Sequence, residues 1–285
     1  MIMIKAYAKI NLTLDILGQR PDGYHEVAMV MQSVGLYDTL QLEKAAKGIQ
    51  LEIDVPGLAA DASNLAWKAA QLVMDTYGIR EGVRITLTKR IPMAAGLAGG
   101  SADAAAVLRG MDRLFALQCS EDELCSLGAK LGSDVPFCIL GGTMLATGRG
   151  EQLRRLPDFP ACSVVLAKPP ISVSTAWAYQ NYDAQGAEHH PDNGAMEKEI
   201  IAGNLKGASN LLCNVLESVT IKKYGQISRY KRLMMMEGAL ASMMSGSGPT
   251  VFALADSRES ADRIAAAMEA ATSAAVFSVQ VVSRN

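Results

Sequence analysis

At the start of the chain, Ile4, Ala6, Ala8, Ile10, Leu12, Leu14 and Ile16 alternate with Lys5, Tyr7, Lys9, Asn11, Thr13 and Asp15. Alternation with a period of two predicts a strand that turns one face to a core and keeps the other polar. Lys9 and Asn11 share that polar face. Asp22-Gly23 is a turn signal, and a second strand is expected from about Glu26 to Leu36. Asn64 to Tyr77 predicts a helix. Val83, Ile85 and Leu87 alternate with Arg84, Thr86 and Thr88, which predicts a strand running into a glycine-rich stretch. A strong helical pattern follows over Ser101 to Leu117, and Ser120-Glu121-Asp122-Glu123 reads as the capped start of another helix.

Leu156-Pro157-Asp158-Phe159-Pro160 breaks the composition just before the apolar strand Ser163 to Ala167. A domain boundary is expected there, giving segments 1–156 and 157–285. Gln185 to Lys206 is polar and contains Gly and Asn, so a mobile surface insertion is expected. Gly238 to Ala255 carries no charge, but Ser245-Gly246-Ser247-Gly248-Pro249 interrupts it, so two strands joined by a turn suit it better than a membrane span. Met234, Met235, Met236, Met243 and Met244 read as flexible core filler. The whole pattern is α+β in two lobes.

Composition narrows the function classes. Hydrophobic residues make up 49% of the 285 residues and charged residues 20%, which excludes a disordered chain. The formal net charge of −2 lacks the basic field of a nucleic-acid binder. The first residues lack a basic segment leading into an apolar one, so no signal peptide is expected. Five cysteines without a C-x-x-C suit reduced, mostly buried thiols in a cytoplasmic protein. None of the three histidines stands at zinc-ligand spacing, so no metal ligands are assigned.

Candidate chemistry concentrates in four stretches. In Pro92-Met93-Ala94-Ala95-Gly96-Leu97-Ala98-Gly99-Gly100-Ser101-Ala102, small residues precede a helix start whose free N–H groups and positive dipole end suit a phosphate. The loop is neither a Walker nor a dinucleotide fingerprint, and close packing of a helix entry is the plainer alternative. Gly132-Ser133-Asp134-Val135-Pro136-Phe137 reads either as a helix cap with Pro in the first turn or, with Lys9 opposite, as a carboxylate that takes a proton. Tyr24-His25 is a hairpin connection or a stacking platform for a heterocyclic base. Ser245 to Thr250 is a tight turn or the closing wall of a phosphate site.

In this order, the four stretches resemble the GHMP small-molecule kinase superfamily. The likeness runs from Ala8-Lys9-Ile10-Asn11-Leu12 through Asp22-Gly23-Tyr24-His25-Glu26, the glycine loop, Gly132 to Phe137 and Gly148-Arg149-Gly150-Glu151 to Ser245 to Pro249. Ala8 to Leu12 with Asp22 to Glu26 is similar to the branch that phosphorylates a cytidine-diphosphate-linked methylerythritol on the isoprenoid precursor route. The resemblance implies a ribosomal-S5-like N-terminal lobe and a ferredoxin-like C-terminal lobe, with ATP, Mg²⁺ and the small-molecule substrate meeting between them. It places ATP phosphates on Pro92 to Ala102, Ser101 near the phosphates and Mg²⁺, and Asn64 and Lys89 towards the adenine end. It makes Asp134 the general base and Lys9 its cationic partner. Tyr24 and His25 would hold cytosine, Asn11 the reacting part, and Thr175 and Tyr179 the substrate pocket. The commonest family form has glycine in place of Ala98, and often of Ala95; alanine is tolerated there if φ is negative, and the path of the loop is left open. A homoserine- or mevalonate-type kinase, or a non-catalytic ligand-binding regulator on the same fold, are the alternatives. No nucleic-acid or membrane partner is implied, and oligomeric state is left open.

Overall fold

The computed structural model describes residues 1–284. The first lobe runs β1 (Ile2–Asn11), β2 (Thr13–Gln19), β3 (His25–Ala45), β4 (Ile49–Ile53), α1 (Leu65–Tyr77) and β5 (Gly82–Thr88). It continues with α2 (Gly99–Phe115), α3 (Glu121–Leu131), α4 (Val135–Leu140), β6 (Thr143–Thr147) and β7 (Gln152–Arg155). The single strand expected over Ile4 to Ile16 is two, β1 and β2, parted at Leu12, and the strand expected from Glu26 to Leu36 is β3, which is far longer. Its 21 residues serve as a spine, pairing antiparallel with β1, β2, β5 and β6 at successive positions. Helix α2 packs on this sheet, and its buried Ala102, Ala104, Ala105 and Ala106 keep the packing close. Gly110 also suits this close approach, since a Cβ on it would meet Leu42 Cδ2 at 2.8 Å and push that side chain aside.

The second lobe begins after the Leu156 to Pro160 break with β8 (Ser163–Lys168). It continues through α5 (Thr175–Gln185), α6 (Asn193–Ile201), α7 (Leu205–Asn210), β9 (Cys213–Asn214), α8 (Glu217–Lys223) and α9 (Gly225–Met236). β10 (Ala241–Met244), β11 (Val251–Ala255), α10 (Arg258–Ala271) and β12 (Ala275–Gln280) complete it. The antiparallel order β10-β11-β8-β12 is that of a ferredoxin-like sheet. Its strands β8 and β11 are buried almost throughout, as expected for a central pair. The lobes are stitched together where β9 pairs in parallel with Thr13–Leu14, and where the Gln32 amide donates to the Val282 carbonyl at 2.9 Å.

Three expectations are corrected, and the polar face of β1 and β2 proves to be covered, since Lys9, Asn11, Thr13 and Asp15 are all buried. Period-two alternation identifies a polar face but not whether water or another lobe covers it. The 185–206 stretch is no loose insertion: it contains α6, which seats Met196 and Ile200 in the core and is fixed by Arg154 to Glu197 at 2.7 and 2.6 Å. Asp15 and Thr13 also bond His190 and Asn193 from this stretch. The methionine cluster divides, with Met234, Met243 and Met244 buried but Met235 and Met236 exposed at the end of α9. None of the five cysteines is in a disulfide, yet only Cys138 and Cys162 are buried. Among the described residues, no helix is long and apolar enough to cross a membrane.

Candidate active site

The two lobes enclose a cavity of about 930 Å³. Its first wall is the loop between β5 and α2. Left-handed residues recur at every second position, Ala94 (φ 49°), Gly96 (φ 75°) and Ala98 (φ 57°), and curl the chain ahead of the helix. Ala98 therefore does not meet the negative-φ condition for alanine, whereas Ala95 is not among the positive-φ residues. Alanine there carries a strain of about 1–2 kcal/mol, which the surrounding contacts offset. The first helical bond runs from the Ala102 amide to the Ala98 carbonyl at 2.8 Å, and Ala98 provides no side-chain cap. The amides of Gly99, Gly100 and Ser101 thus stand outside the helix ladder at its positive end.

Gly96 has a second reason to be glycine. A Cβ on it would lie 2.2 Å from the Ser245 carbonyl oxygen, because the Ser245–Pro249 turn between β10 and β11 presses on the loop. The Ser245 hydroxyl donates to the Gly96 carbonyl at 2.9 Å, and the Asn214 amide braces the turn through the Met244 and Gly246 carbonyls. Pro92 to Gly96 and Ala98 to Ser101 line the cavity, whereas Leu97 and Ala102 are buried beneath it and anchor the loop.

Opposite the loop stands Asp134. It occupies the N-cap position of α4, with Pro136 in the first turn, but its carboxylate makes no capping bond. The helix-cap reading is corrected accordingly, and the carboxylate is free to face the cavity. Its Oδ2 lies 3.8 Å from the Lys9 ammonium, which also donates to Asn11 Oδ1 at 2.8 Å and to the Gly96 carbonyl at 3.3 Å. The polar face of β1 thereby becomes the cavity floor. The Ser101 hydroxyl faces the same side, 3.9 Å from where a Cβ on Gly132 would sit.

The far end is aromatic. The His25 ring packs 4.8 Å from Tyr179, and its Nε2 lies 2.7 Å from Asp183 Oδ1. Burial, with a smaller contribution from Asp134, pushes the Tyr179 phenol above its ordinary pKa. Tyr24 is exposed at the tip of the β2–β3 hairpin, with the Arg149 guanidinium 5.0 Å from its ring centre. Thr175, the first residue of α5, bonds the Ser247 hydroxyl at 3.1 Å.

Asn64 and Lys89 line the cavity too, but both are engaged. Asn64 caps α1 by accepting from the Ala66 amide and donates to the Ala59 carbonyl. Lys89 reaches Asp38 and Asp103 at 2.5 and 2.7 Å. Burial pulls its pKa down, but the two carboxylates outweigh that and raise it. Burial raises the Asp103 pKa, with Lys89 opposing and Asp38 assisting. Asp38 further accepts from the Arg90 and Ile91 amides, fixing the entry to the loop.

Sequence reasoning missed Asp38, Asp103 and Asp183. Asp38 had one signal, a charge inside an apolar strand. The pairing of Asp183 with His25 spans most of the chain and had none. For a metal, no cluster of three or more His, Cys, Asp or Glu stands among the described residues. The Ser101 hydroxyl would suit a Mg²⁺ arriving on phosphates, which needs few protein donors.

The sequence matches the GHMP kinases N terminal domain over residues 64–142 and the GHMP kinases C terminal domain over 196–274. A 4-diphosphocytidyl-2-C-methyl-D-erythritol kinase of Acetivibrio thermocellus is 51% identical over 260 residues, 91% of this chain and 92% of that protein. One of Bacillus pumilus is 52% identical over 264 residues, with 92% and 91% covered. The crystal structure of a 4-(cytidine 5'-diphospho)-2C-methyl-D-erythritol kinase superposes with a TM-score of 0.84 at 32% identity, covering 98% of this chain and 99% of that one. Homoserine kinase from Cytophaga hutchinsonii, at 20% identity and a TM-score of 0.76, shares the fold over 99% of this chain and 95% of its own. With half of its residues shared along nearly its whole length, the chain belongs to the 4-diphosphocytidyl-2-C-methyl-D-erythritol kinases of the GHMP family.

Proposed function

We propose that the protein transfers the γ-phosphoryl group of ATP to the 2-hydroxyl of 4-diphosphocytidyl-2-C-methyl-D-erythritol, releasing ADP and the 2-phosphate of that substrate. The carrying observation is the placement of Asp134 and Lys9 across one cavity from the open end of α2, with an aromatic end beyond them. Phosphoryl transfer depends chiefly on alignment and charge stabilisation, which this arrangement supplies.

In this reading the amides of Gly99, Gly100 and Ser101 hold the ATP phosphates, and Pro92 to Gly96 with Ala98 wall them in. Asn64 and Lys89 lie towards the adenine end, with Lys89 acting through the loop it braces. Asp134 orients the acceptor hydroxyl and takes its proton as the oxygen attacks phosphorus, a contribution typically of about 10²–10⁴-fold. Lys9 holds that carboxylate in place, and Asn11, locked to Lys9, positions the carbinol end. Tyr24, His25 and Tyr179 receive the cytosine, and Thr175 lines the path between. Mg²⁺, held by Ser101 and the phosphates, supplies charge neutralisation when bound. Residues 1–156 form the catalytic lobe and 157–285 the covering lobe, and the unbridged cysteines support a reducing, cytoplasmic setting.

The test is turnover with ATP across acceptors: the cytidyl substrate, homoserine and mevalonate. Phosphorylation of the cytidyl substrate at a kcat/KM at least about a hundredfold above the others is expected. Faster turnover of either small acceptor would reassign the substrate.

A further inference from the structure

We infer that Arg149 is a specificity-determining residue that receives the diphosphate bridge of the substrate; this rests on the cytidyl reading above. In that substrate the diphosphate lies covalently between the base and the tetritol. Any pose with the base at His25 and Tyr179 and the hydroxyl at Asp134 must lay the bridge between them. The turn joining β6 to β7 occupies that position. On one side Arg149 covers the Tyr24 ring, and on the other a Cβ on Gly150 would stand 3.8 Å from Cβ of Ser133, the neighbour of Asp134. The turn is fixed to the base end, since the Gly148 amide donates to Glu26 at 3.1 Å and the Val27 amide to the Gly148 carbonyl at 2.8 Å.

The other cations that line the cavity are committed. Lys9 is held by Asn11, Asp134 and the Gly96 carbonyl, and Lys89 is held by Asp38 and Asp103. Arg149 has only a loose ion pair, 3.7 Å from Glu151, and its side chain is about one-third exposed. Asp22, Glu26 and Glu151 lie around the turn, and Arg20 is already taken up by Asp22 and Glu26, so Arg149 is the cation there left to meet a diphosphate. A planar guanidinium presents paired N–H donors that match two oxygens of a phosphate and forms charge-assisted bonds to them. Its second position, over Tyr24, lets one side chain order the aromatic platform and neutralise the bridge.

The experiment measures binding of cytidine and of cytidine diphosphate to the full-length protein by calorimetry, in wild type, Arg149→Gln, Arg149→Lys and Glu151→Gln. Wild type should bind cytidine diphosphate at least about tenfold more tightly than cytidine, the scale of one charged hydrogen bond. Arg149→Gln should remove most of that ratio and Arg149→Lys only part. Glu151→Gln keeps an acceptor for the Arg149 amide but frees the guanidinium, so the ratio should grow. An unchanged ratio in Arg149→Gln overturns the inference while leaving the cytidyl site standing. Equal weakening of both ligands also overturns it, because Arg149 would then act through Tyr24 alone. If wild type binds neither cytidine compound, the cytidyl reading itself fails, and this inference with it.

Discussion

The carboxylate of Asp134 stands 3.8 Å from the ammonium of Lys9 and makes no bond to the helix whose N-cap position it occupies. Ser, Asp and Asn at such positions ordinarily accept an amide hydrogen bond. Here the side chain is turned instead to the buried lysine of β1. Asp134→Asn preserves shape and removes the proton acceptor. Turnover should fall by about 10²-fold or more, with ATP affinity and melting temperature near wild type. A near-wild-type kcat would remove Asp134 from the base role.

The phosphate loop is strained at Ala98, where φ is 57°. A β-branched side chain is poorly tolerated in the left-handed region. Ala98→Val should therefore weaken ATP binding and lower the melting temperature by a few degrees, about what 1–2 kcal/mol gives at this size. Ala98→Gly should retain ATP affinity. ATP titrations on both variants check this, and undiminished affinity in Ala98→Val would place the nucleotide elsewhere.

At the aromatic end, Tyr24→Ala combined with His25→Ala should raise the KM for the cytidyl substrate by roughly 5- to 150-fold, the range of a lost base stack. The KM for ATP should not change, because the loop lies across the cavity. Asp183→Ala should give a smaller rise of the same kind, since it leaves His25 without its 2.7 Å partner. Steady-state kinetics with each substrate varied in turn separate these effects.

Asp103 is buried, shares Lys89 with Asp38, and its Oδ1 has no hydrogen-bond partner among the described residues. Burial raises its folded pKa above the ordinary carboxylate value of about 4. The folded chain then holds a proton the unfolded chain releases, so this group contributes less stability as pH rises above that value. Asp103→Asn keeps an acceptor for Lys89 and removes the titration. It should raise the melting temperature more at pH 8 than at pH 5. An equal shift at both would show that Asp103 does not titrate in this window.

Much of this was legible in the sequence because it is local. The alternation of Ile4 to Ile16, the capping box at Ser120 and Glu123, and the strand–turn–strand around Ser245 to Pro249 all depend on neighbours. Lys9, Asp134 and the glycine loop were visible as residue types in an ordered set of motifs. What could not be read is set by contacts between distant segments. The burial of Lys9 and Asn11 follows from the second lobe lying over β1, which no period along β1 encodes. α6 was obscured by its polar composition, although Met196 and Ile200, four residues apart, are enough to seat it. The φ of Ala98 is not legible from its own chemistry, which prefers a negative value that only the packed loop overrides.

The most direct measurement is phosphorus NMR of the product formed from ATP and 4-diphosphocytidyl-2-C-methyl-D-erythritol. ADP should appear in equal amount with a new phosphomonoester, and carbon–phosphorus coupling should place that group on the tertiary 2-hydroxyl carbon with the diphosphate bridge intact. ATP consumed without this phosphomonoester, or phosphate found on another carbon, would contradict the assignment.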